Sequence, residues 1–316
     1  MKYCLITAKN CQNIPADPFS FQRFFFNEPP HLQHQAEENL FSFFLKNIDN
    51  QLIEARFSVI VKDFVAYSPL KATFGGIEFN PSLTIDELRY FLNEILIFLK
   101  NKRVKEIIIN HYPERYLTLY QKQILDTCLA FFDFQVKYTE HNYEIKISKK
   151  SFLETVSSAR ARQLVRKGIK EGFVFKEETQ IDFPAIHDFI AQARLRKGRP
   201  MTMTLEQLEA HFEKFPENFQ LFSVSSQNNL LAVAVIIVLN PQIAYTFYLA
   251  DDSAYLRFSP TTFLLSGIYE NFKEKFFEIL DLGIATDKGI LNQGLARFKR
   301  SLGGELSYKK TYFLKL

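Results

Sequence analysis

The sequence predicts an α/β fold of two successive units, each a mixed, mostly antiparallel sheet flanked by helices. The chain has 316 residues, which suits two domains of ordinary size. Its longest apolar run, LLAVAVIIVL at Leu230–Leu239, is too short to cross a bilayer as a helix and is rich in Val and Ile, as in a strand buried on both faces. Both halves also show one order of elements: strand, strand, Ser-Pro loop, helix, strand, helix, strand. This repetition indicates a tandem duplication, with domains at residues 1–150 and 151–316.

The first half is the less regular copy. Thr84 and Glu87 form a capping box, and the apolar stripe that follows predicts a helix. A loop with Ser68-Pro69 and Phe74-Gly75-Gly76 precedes it, and its glycines permit either a surface turn or close approach of a ligand. The predicted elements are strands at 40–46, 52–63 and 64–67, a strand at 104–110, a helix at 116–131 and a terminal hairpin at 134–147.

The second half begins with a helix at 182–196, and a capping box of Thr204 and Gln207 starts the next helix. An antiparallel meander follows, and Ser259-Pro260 then starts a helix, since Ser caps and Pro suits the first position. The remaining predicted elements are meander strands at 219–225, 230–239 and 243–250, a strand at 276–282, a helix that ends at 303–304, and a last strand at 305–316. A basic segment at 160–172 joins the halves.

Composition excludes several classes of protein. Lys and Arg number 39 against 35 Asp and Glu, so the net charge of +4 does not by itself indicate a nucleic-acid partner. The three cysteines have neither disulfide-framework nor zinc spacing, and no signal peptide or membrane-spanning segment is visible, so a cytoplasmic protein is expected. The histidines show paired spacing only at His31-x-x-His34, in a Pro-flanked loop, and no metal is predicted.

The segment Asp281–Glu305, DLGIATDKGILNQGLARFKRSLGGE, closes a strand and starts a helix that places Phe298 beside Lys299. Gly303 and Gly304 end that helix. This segment resembles the C-terminal half of the GNAT-like acyltransferases (acyl-CoA N-acyltransferase fold), and in particular of the FemAB-like tandem-domain subgroup, whose Fem-type aminoacyl transferases carry a Phe-Lys pair here. The resemblance covers roughly the last 150 residues. It implies tandem GNAT-like domains, with a degenerate first copy and the active site in the second.

The resemblance also assigns catalytic roles. Lys299 is expected to stabilise the oxyanion formed during acyl transfer, with Phe298 as a wall of the cleft. Tyr245 and Tyr248 lie on the strand that borders the cleft in GNAT folds, and either can donate a proton to the leaving group. Tyr248 is placed with the catalytic residues and Tyr245 with the binding residues. Asp281 is either a base or the cap of the following turn. The alternative is structural: Phe298 fills the core, Lys299 is solvated, and the tyrosines are ordinary strand residues.

Two further groups are candidates for substrate binding. Arg257, Ser259, Thr261 and Thr262 stand where GNAT folds cradle the pyrophosphate of coenzyme A at a helix N-terminus. The glycine-rich signature of that loop is absent here, because no glycine lies between Asp251 and Ser266. Arg196 and Arg199, in RLRKGRP, stand where GNAT folds admit the acceptor and can bind a phosphate, a nucleotide-sugar or tRNA. The same cluster also suits a helix C-terminus for dipole reasons alone.

The expected function is therefore transfer of an acyl or aminoacyl group from a thioester or ester donor to an amine or hydroxyl acceptor. The chain would be an N-acyltransferase or aminoacyltransferase of cell-envelope or polysaccharide metabolism. Acyl-CoA is the expected co-substrate, no tightly bound cofactor is expected, and the acceptor is a small molecule or a cell-envelope precursor. The alternative is a non-catalytic binding module on the same fold. A tRNA partner is possible but not favoured, because the aromatic interleaving of a base-stacking surface is missing.

Overall fold

The computed structural model describes residues 2–36 and 38–316. The chain forms two compact units: Met1–His141 with Thr286–Ile290 and Ser307–Leu316, and Asn142–Ala285 with Leu291–Leu306. The domain limits of 1–150 and 151–316 stay a prediction. In the part of the chain that is described, every helix is too short or too polar to cross a membrane.

The first unit contains a sheet in the order β1-β2-β3-β4-β6-β15, with the short β5 paired to β3. Neighbouring strands are antiparallel except β4 and β6. The strands are β1 (Tyr3–Lys9), β2 (Leu40–Asn47), β3 (Ile53–Lys62), β4 (Val65–Ser68), β5 (Glu78–Phe79), β6 (Glu106–Asn110) and the end of β15 (Glu305–Lys315). The helices are α1 (Pro29–Gln35), α2 (Ile85–Asn101) and α3 (Leu119–Phe131).

The second unit contains a sheet in the order β7-β12-β11-β10-β9-β8, in which only β11 and β12 are parallel. Its strands are the end of β7 (Gln135–Lys146), β8 (Val174–Glu178), β9 (Phe219–Ser226), β10 (Asn229–Asn240), β11 (Ile243–Asp251) and β12 (Ile279–Ile284). Its helices are α4 (Phe152–Thr155), α5 (Ala159–Lys170), α6 (Phe183–Arg196), α7 (Leu205–Lys214), α8 (Pro260–Glu274) and α9 (Gln293–Ser301). The short strands β13 (Thr286–Asp287) and β14 (Ile290–Leu291) precede α9.

The strand orders within the two units confirm the predicted fold class of tandem α/β units with mixed, mostly antiparallel pairing flanked by helices. In each unit an antiparallel meander leads through one helix to a parallel strand, and a second helix follows. β10 matches the apolar run and is buried over most of its length. Both capping boxes are present, at Thr84 with Glu87 and at Thr204 with Gln207.

The sixth strand of each sheet comes from a distant part of the sequence. In the first unit, Thr311–Lys315 of β15 pair with β6, and in the second unit, residues 142–146 of β7 pair with β12. The hairpin predicted at 134–147 is wrong, because β7 is one continuous strand. A tight hairpin turn needs positive φ angles, and no residue of β7 has one.

Two other local expectations differ from the structure. His31 lies in α1 rather than in a loop, where it is buried and its ring contacts Phe25 and Phe26. Gly75 and Gly76 lie in the interior, not in a surface turn. The Gly76 N–H donates to Ser68 Oγ at 3.1 Å, and a β-carbon on Gly76 would lie 2.6 Å from the His111 ring. These glycines therefore permit close packing of the chain itself.

A buried ion pair fixes the aromatic N-terminal segment in the first unit. Arg56 on β3 is 2% exposed, and its Nε donates to Glu78 on β5, which is 1% exposed. Arg56 Nη2 also donates to Glu28 Oε1 at 3.0 Å, at the start of α1. Asn27 Nδ2 and the Phe24 N–H donate to the second oxygen of Glu78, at 2.8 and 3.0 Å. Both oxygens of Glu78 thus have donors, as a buried carboxylate requires.

Candidate functional site

The two parallel strands of the second unit separate part-way along their length. The pairing of β11 with β12 begins where Ile243 lies opposite Ile279 and ends where Tyr245 lies opposite Asp281. Beyond that point the two strands no longer pair with each other. A β-bulge at Phe247 lies at this point, since Ile236 of β10 faces Thr246 whereas the adjacent Val235 faces Tyr248. A bulge bends its strand and increases the local twist. The sequence therefore folds into a sheet that opens between its two parallel strands.

A cavity of about 560 Å³ occupies this opening, a size typical of small-molecule sites. Its walls come from the end of α6, the diverging parts of β11 and β12, the start of α8, and α9. The side chains that bear on the chemistry below are Arg194, Lys197, Arg199, Tyr245, Asp251, Ser259, Thr261, Asn292, Phe298 and Lys299, with Gly283 on β12.

Lys299 lies inside this cavity because of how α9 begins and ends. Asn292 caps the helix, accepting the Leu295 N–H at 2.9 Å. At the other end, Gly304 approaches so closely that a β-carbon would lie 2.7 Å from the Lys299 carbonyl oxygen. Lys299 is 7% exposed, and its Nζ donates to the carbonyl oxygen of Ile284 at 2.7 Å. Lys299 is therefore buried in the cavity, and Phe298, the residue before it, is half-buried and lines the cavity wall.

Burial lowers the pKa of the Lys299 ammonium to about 7, since it removes the charge from water. The carboxylate of Asp281 opposes this decrease, and the guanidinium of Arg199 adds to it. Near neutral pH both protonation states of this amine are therefore populated, in a cavity where electrostatic interactions are stronger than in bulk water.

We expect the Lys299→Met variant to be more stable than the wild type, by an amount that depends on pH. The folded-state pKa of about 7 lies below the model value of 10.5, so the unfolded chain binds more protons between these values. The cost of the buried charge is complete below pH 7 and disappears as the pH rises towards 10.5. Thermal denaturation should show a melting temperature several degrees higher for the variant at pH 6, and a smaller gap at pH 9.5. The exposed control Arg300→Met should differ from the wild type in melting temperature by the same amount at both pH values. The same constant difference for Lys299→Met would contradict the lowered pKa of Lys299.

On β12, Gly283 lines the cavity and Asp281 is buried two residues before it. Asp281 is fully buried within β12 rather than at its end, and accepts the Asn142 Nδ2 at 3.0 Å and the Gly283 N–H at 2.6 Å. Gly283 has φ +75°, where side chains are disfavoured, and a β-carbon there would stand 3.5 Å from the Tyr245 ring and 3.8 Å from Lys299 Nζ. Of the two roles expected for Asp281, the geometry supports the structural one.

A second cavity, of about 300 Å³, adjoins the first, because Leu256, Ser259 and Phe298 line both. Its polar side chains are Ser158, Arg160, Arg257, Ser259, Thr262 and Ser301. Ser259 occupies the N-cap position of α8, as predicted, but its side chain makes no capping bond. It ends the preceding 3-10 helix with φ 49°, and its hydroxyl lies 2.8 Å from that of Thr262 instead of accepting a backbone N–H.

The structure thus brings most of the predicted site residues to these two cavities. Lys299, Phe298, Tyr245, Arg199, Ser259 and Thr261 line the first, and Phe298, Arg257, Ser259 and Thr262 line the second. Tyr248 and Arg196 line neither cavity. Tyr248 is 2% exposed and its hydroxyl is bonded to Thr202, whereas Arg196 pairs with Asp251 at 2.8 Å.

Sequence reasoning missed Gly283, Asn292 and Ser158. A glycine inside a strand pattern indicates a bulge or a close approach, so Asp281-Leu282-Gly283 carried a usable signal. Asn292, before the helical segment, has the composition of an N-cap. Ser158 carried only an ordinary capping signal.

No model of a protein family matches the chain, and no curated protein matches it in sequence. Among solved structures, FemX is similar with a TM-score of 0.75 and 14% identity over 94% of both chains. L-PGS from Bacillus licheniformis gives a TM-score of 0.54 and 13% identity over 86% of this chain and 83% of the other. A tandem GNAT protein from the clavulanic acid biosynthesis pathway gives 0.51 and 9% over 87% and 82%. At such identities the likeness concerns the fold, and the fold of this chain is the tandem GNAT-like fold of the FemAB-like type.

Proposed function

We propose that the chain is an acyltransferase that moves an acyl or aminoacyl group from a thioester or ester donor to an amine or hydroxyl acceptor. The observation that carries this proposal is Lys299 Nζ, buried in the cavity between the two separating parallel strands. The acyltransferase-type fold supports it as well. The proposed acceptor is a small molecule or a cell-envelope precursor.

In this reaction the acceptor nitrogen or oxygen adds to the donor carbonyl, whose oxygen becomes an anion. The protonated Lys299, held in place by its bond to the Ile284 carbonyl, donates a hydrogen bond to this oxyanion. The carbon–sulfur or carbon–oxygen bond of the donor then breaks, and the proton lost by the acceptor passes to the leaving thiolate or alkoxide. Phe298 forms an apolar wall beside the reacting carbonyl, and it limits access of water.

The edge of β11 beyond Tyr245 provides a second element of binding. On the side of β12, no strand within residues 2–36 and 38–316 pairs with this edge, because the pairing with β12 ends at Tyr245 and Asp281. Backbone groups along an unpaired edge bind extended amide-containing chains by adding a strand. We therefore place the amide-bearing part of a substrate along Thr246, Phe247 and Leu249, which line the cavity.

The second cavity supports a donor that carries phosphate groups. Arg257 and Arg160 supply positive charge, and the shared residues Ser259 and Phe298 connect it to the position of the reacting carbonyl. Pro260 at the start of α8 has no N–H, and glycine is absent near this turn. We therefore assign phosphate binding to side chains here, and not to a glycine-rich backbone loop. Both acyl-CoA and an aminoacyl-tRNA have the required chemistry, and acyl-CoA is the simpler proposal.

A thermal-shift screen tests the donor. We expect an acyl-CoA at about 100 times its Kd to raise the melting temperature by several degrees. The ligands tested are acetyl-CoA, longer acyl-CoAs, UDP-sugars and charged tRNA. The measurement with tRNA is repeated at several salt concentrations, because phosphate contacts weaken steeply with salt. Arg257→Gln should reduce the shift, whereas Arg297→Gln, exposed on α9, should not.

Transfer is then measured with the donor that binds and with amine and hydroxyl acceptors. Formation of an acylated acceptor supports the enzyme. Binding of a donor without transfer to any acceptor would favour a non-catalytic binding module, and no binding by any member of the panel would contradict the assignment of the second cavity.

A further inference from the structure

The connection between α6 and α7, residues 197–204, forms one side of the larger cavity. Two of its residues, Lys197 and Arg199, line the cavity. Side chains of α6 hold this connection from one side: Arg194 Nε donates to the Pro200 carbonyl at 3.0 Å, and His187 Nε2 lies 3.1 Å from the Met203 carbonyl oxygen. The path of the connection is therefore defined by specific bonds.

Strand β11 holds the same connection at two points. At the start of the connection, Lys197 Nζ donates to Asp251 Oδ1 at 3.4 Å, and Arg196 Nη2, on the last residue of α6, donates to Asp251 Oδ1 and to the Asp251 carbonyl, both at 2.8 Å. Near its end, the hydroxyls of Thr202 and Tyr248 lie 2.5 Å apart. The guanidinium of Arg194 also lies 5.3 Å from the centre of the Tyr248 ring, within range of a cation–π contact.

Arg199 lies between these two points of attachment. In residues 2–36 and 38–316 no carboxylate forms an ion pair with its guanidinium, unlike Arg196 and Lys197, which both pair with Asp251. Arg199 is exposed, lines the cavity and acts electrostatically on Lys299. Its position relative to Lys299 depends on the path of the connection, because nothing else in the described chain holds its side chain.

We infer that Tyr248 is a positioning residue whose hydroxyl, bonded to Thr202, holds the α6–α7 connection against β11 and thereby keeps Arg199 at the cavity wall facing Lys299. This role replaces proton donation by Tyr248, whose hydroxyl is committed to Thr202 and whose side chain lines neither cavity. The consequence for turnover rests on the proposed acyl transfer. The consequence for the connection itself does not, so the two can be tested separately.

Limited proteolysis tests the attachment without any assay of activity. Trypsin can cut after Arg196 and Lys197, but it does not cut the Arg199–Pro200 bond. Tyr248→Phe and Thr202→Val each remove the hydrogen bond with little change of volume, and each should speed cleavage at these positions about five-fold. The double variant should be no faster than Tyr248→Phe alone, since phenylalanine already removes the bond to the Thr202 hydroxyl together with the contacts of the Tyr248 hydroxyl to the backbone of Thr202 and Met203. Tyr120→Phe and Thr127→Val, on α3, serve as controls and should match the wild type.

Competitive labelling of amines followed by mass spectrometry tests the position of Arg199. The pH dependence of labelling at Lys299 gives the pKa of that residue, which Arg199 lowers. Tyr248→Phe should move this pKa upwards in the same direction as Arg199→Gln, and Tyr248→Phe should change it little in the Arg199→Gln background. A residue that only supported the fold would not produce this dependence.

The outcomes separate the two proposals. Unchanged proteolysis in both single variants would overturn the attachment, whatever the activity of the protein. Faster proteolysis with no change in the pKa of Lys299 would overturn the positioning of Arg199. If both measurements change as expected, the inference stands even if no acyl transfer is found. Where transfer is found, Tyr248→Phe should raise KM for the acceptor several-fold and leave KM for the donor unchanged.

Discussion

Lys299→Ala is expected to reduce kcat/KM for acyl transfer by about 10² to 10³-fold, the effect of removing one preorganised donor from an oxyanion site. The reason is local. Lys299 Nζ is 2.7 Å from the Ile284 carbonyl oxygen inside the cavity, and water cannot replace it with the same orientation. The fold should be retained, because the substitution removes a buried charge instead of creating one.

The matched control is Arg300→Ala, the next residue on α9, which is exposed. It should keep wild-type kinetics, and both variants should keep the circular dichroism spectrum of the wild type. Full activity of Lys299→Ala would remove the main site assignment. A loss confined to KM for the acceptor, with kcat unchanged, would assign Lys299 to binding and not to the transition state.

Glu78→Gln is expected to lower the free energy of unfolding of the first unit by about 3 kcal/mol, which corresponds to a fall in melting temperature of roughly 6–12 °C. The variant leaves Arg56, which is 2% exposed, buried without its main counter-charge. Breaking a buried pair in this way costs more than the pair itself contributes, because the remaining charge stays desolvated. Urea denaturation followed by fluorescence of the tyrosines measures the change.

A surface pair in the same unit provides the comparison. Asp86 and Arg89 on α2 lie 3.4 Å apart, and the Asp86 side chain is 85% exposed, so Asp86→Asn should change stability by less than about 1 kcal/mol. The double variant Arg56→Met with Glu78→Gln should recover much of the loss, since it leaves no unpaired charge at this pair and the glutamine oxygen still accepts from the Phe24 N–H and Asn27 Nδ2. A Glu78→Gln variant as stable as Asp86→Asn would show that the buried pair is not important for the fold.

The part of the site that sequence reasoning located best is the segment around Phe298 and Lys299. The local signal for its helix is the glycine pair at 303–304 that ends it, and the assignment of the Phe-Lys pair to a site came from the resemblance to the Fem-type transferases. Such signals act within a few residues, so they can be recognised without knowledge of the rest of the chain. The assignment of Ser259, Thr261 and Arg257 to a binding loop came from the resemblance to GNAT folds, and the start of α8 came from the local Ser-Pro pattern, although the side chain of Ser259 makes no capping bond.

The roles of Tyr248 and Arg196 were not predictable in the same way. Both lie on elements that were correctly identified, but their partners, Thr202 and Asp251, are 46 and 55 residues away in sequence. The residue pattern along one helix or strand shows on which face a side chain lies. It does not show which residue of another helix or strand contacts that side chain. The pair of Arg56 and Glu78, 22 residues apart, was missed for the same reason.

The sequence by itself determined most helices and strands from residue 40 onwards, the duplicated α/β architecture and the position of the Phe-Lys pair, because periodicity and capping depend on neighbouring residues. It did not reveal β1, α1, α4 or β8. Only the tertiary structure decided that β11 and β12 separate after Tyr245, that Lys299 is buried in the resulting cavity, and which cations pair with carboxylates and which face the cavity. Those features depend on packing between segments far apart in the chain, where burial and distance set the charge state of each side chain.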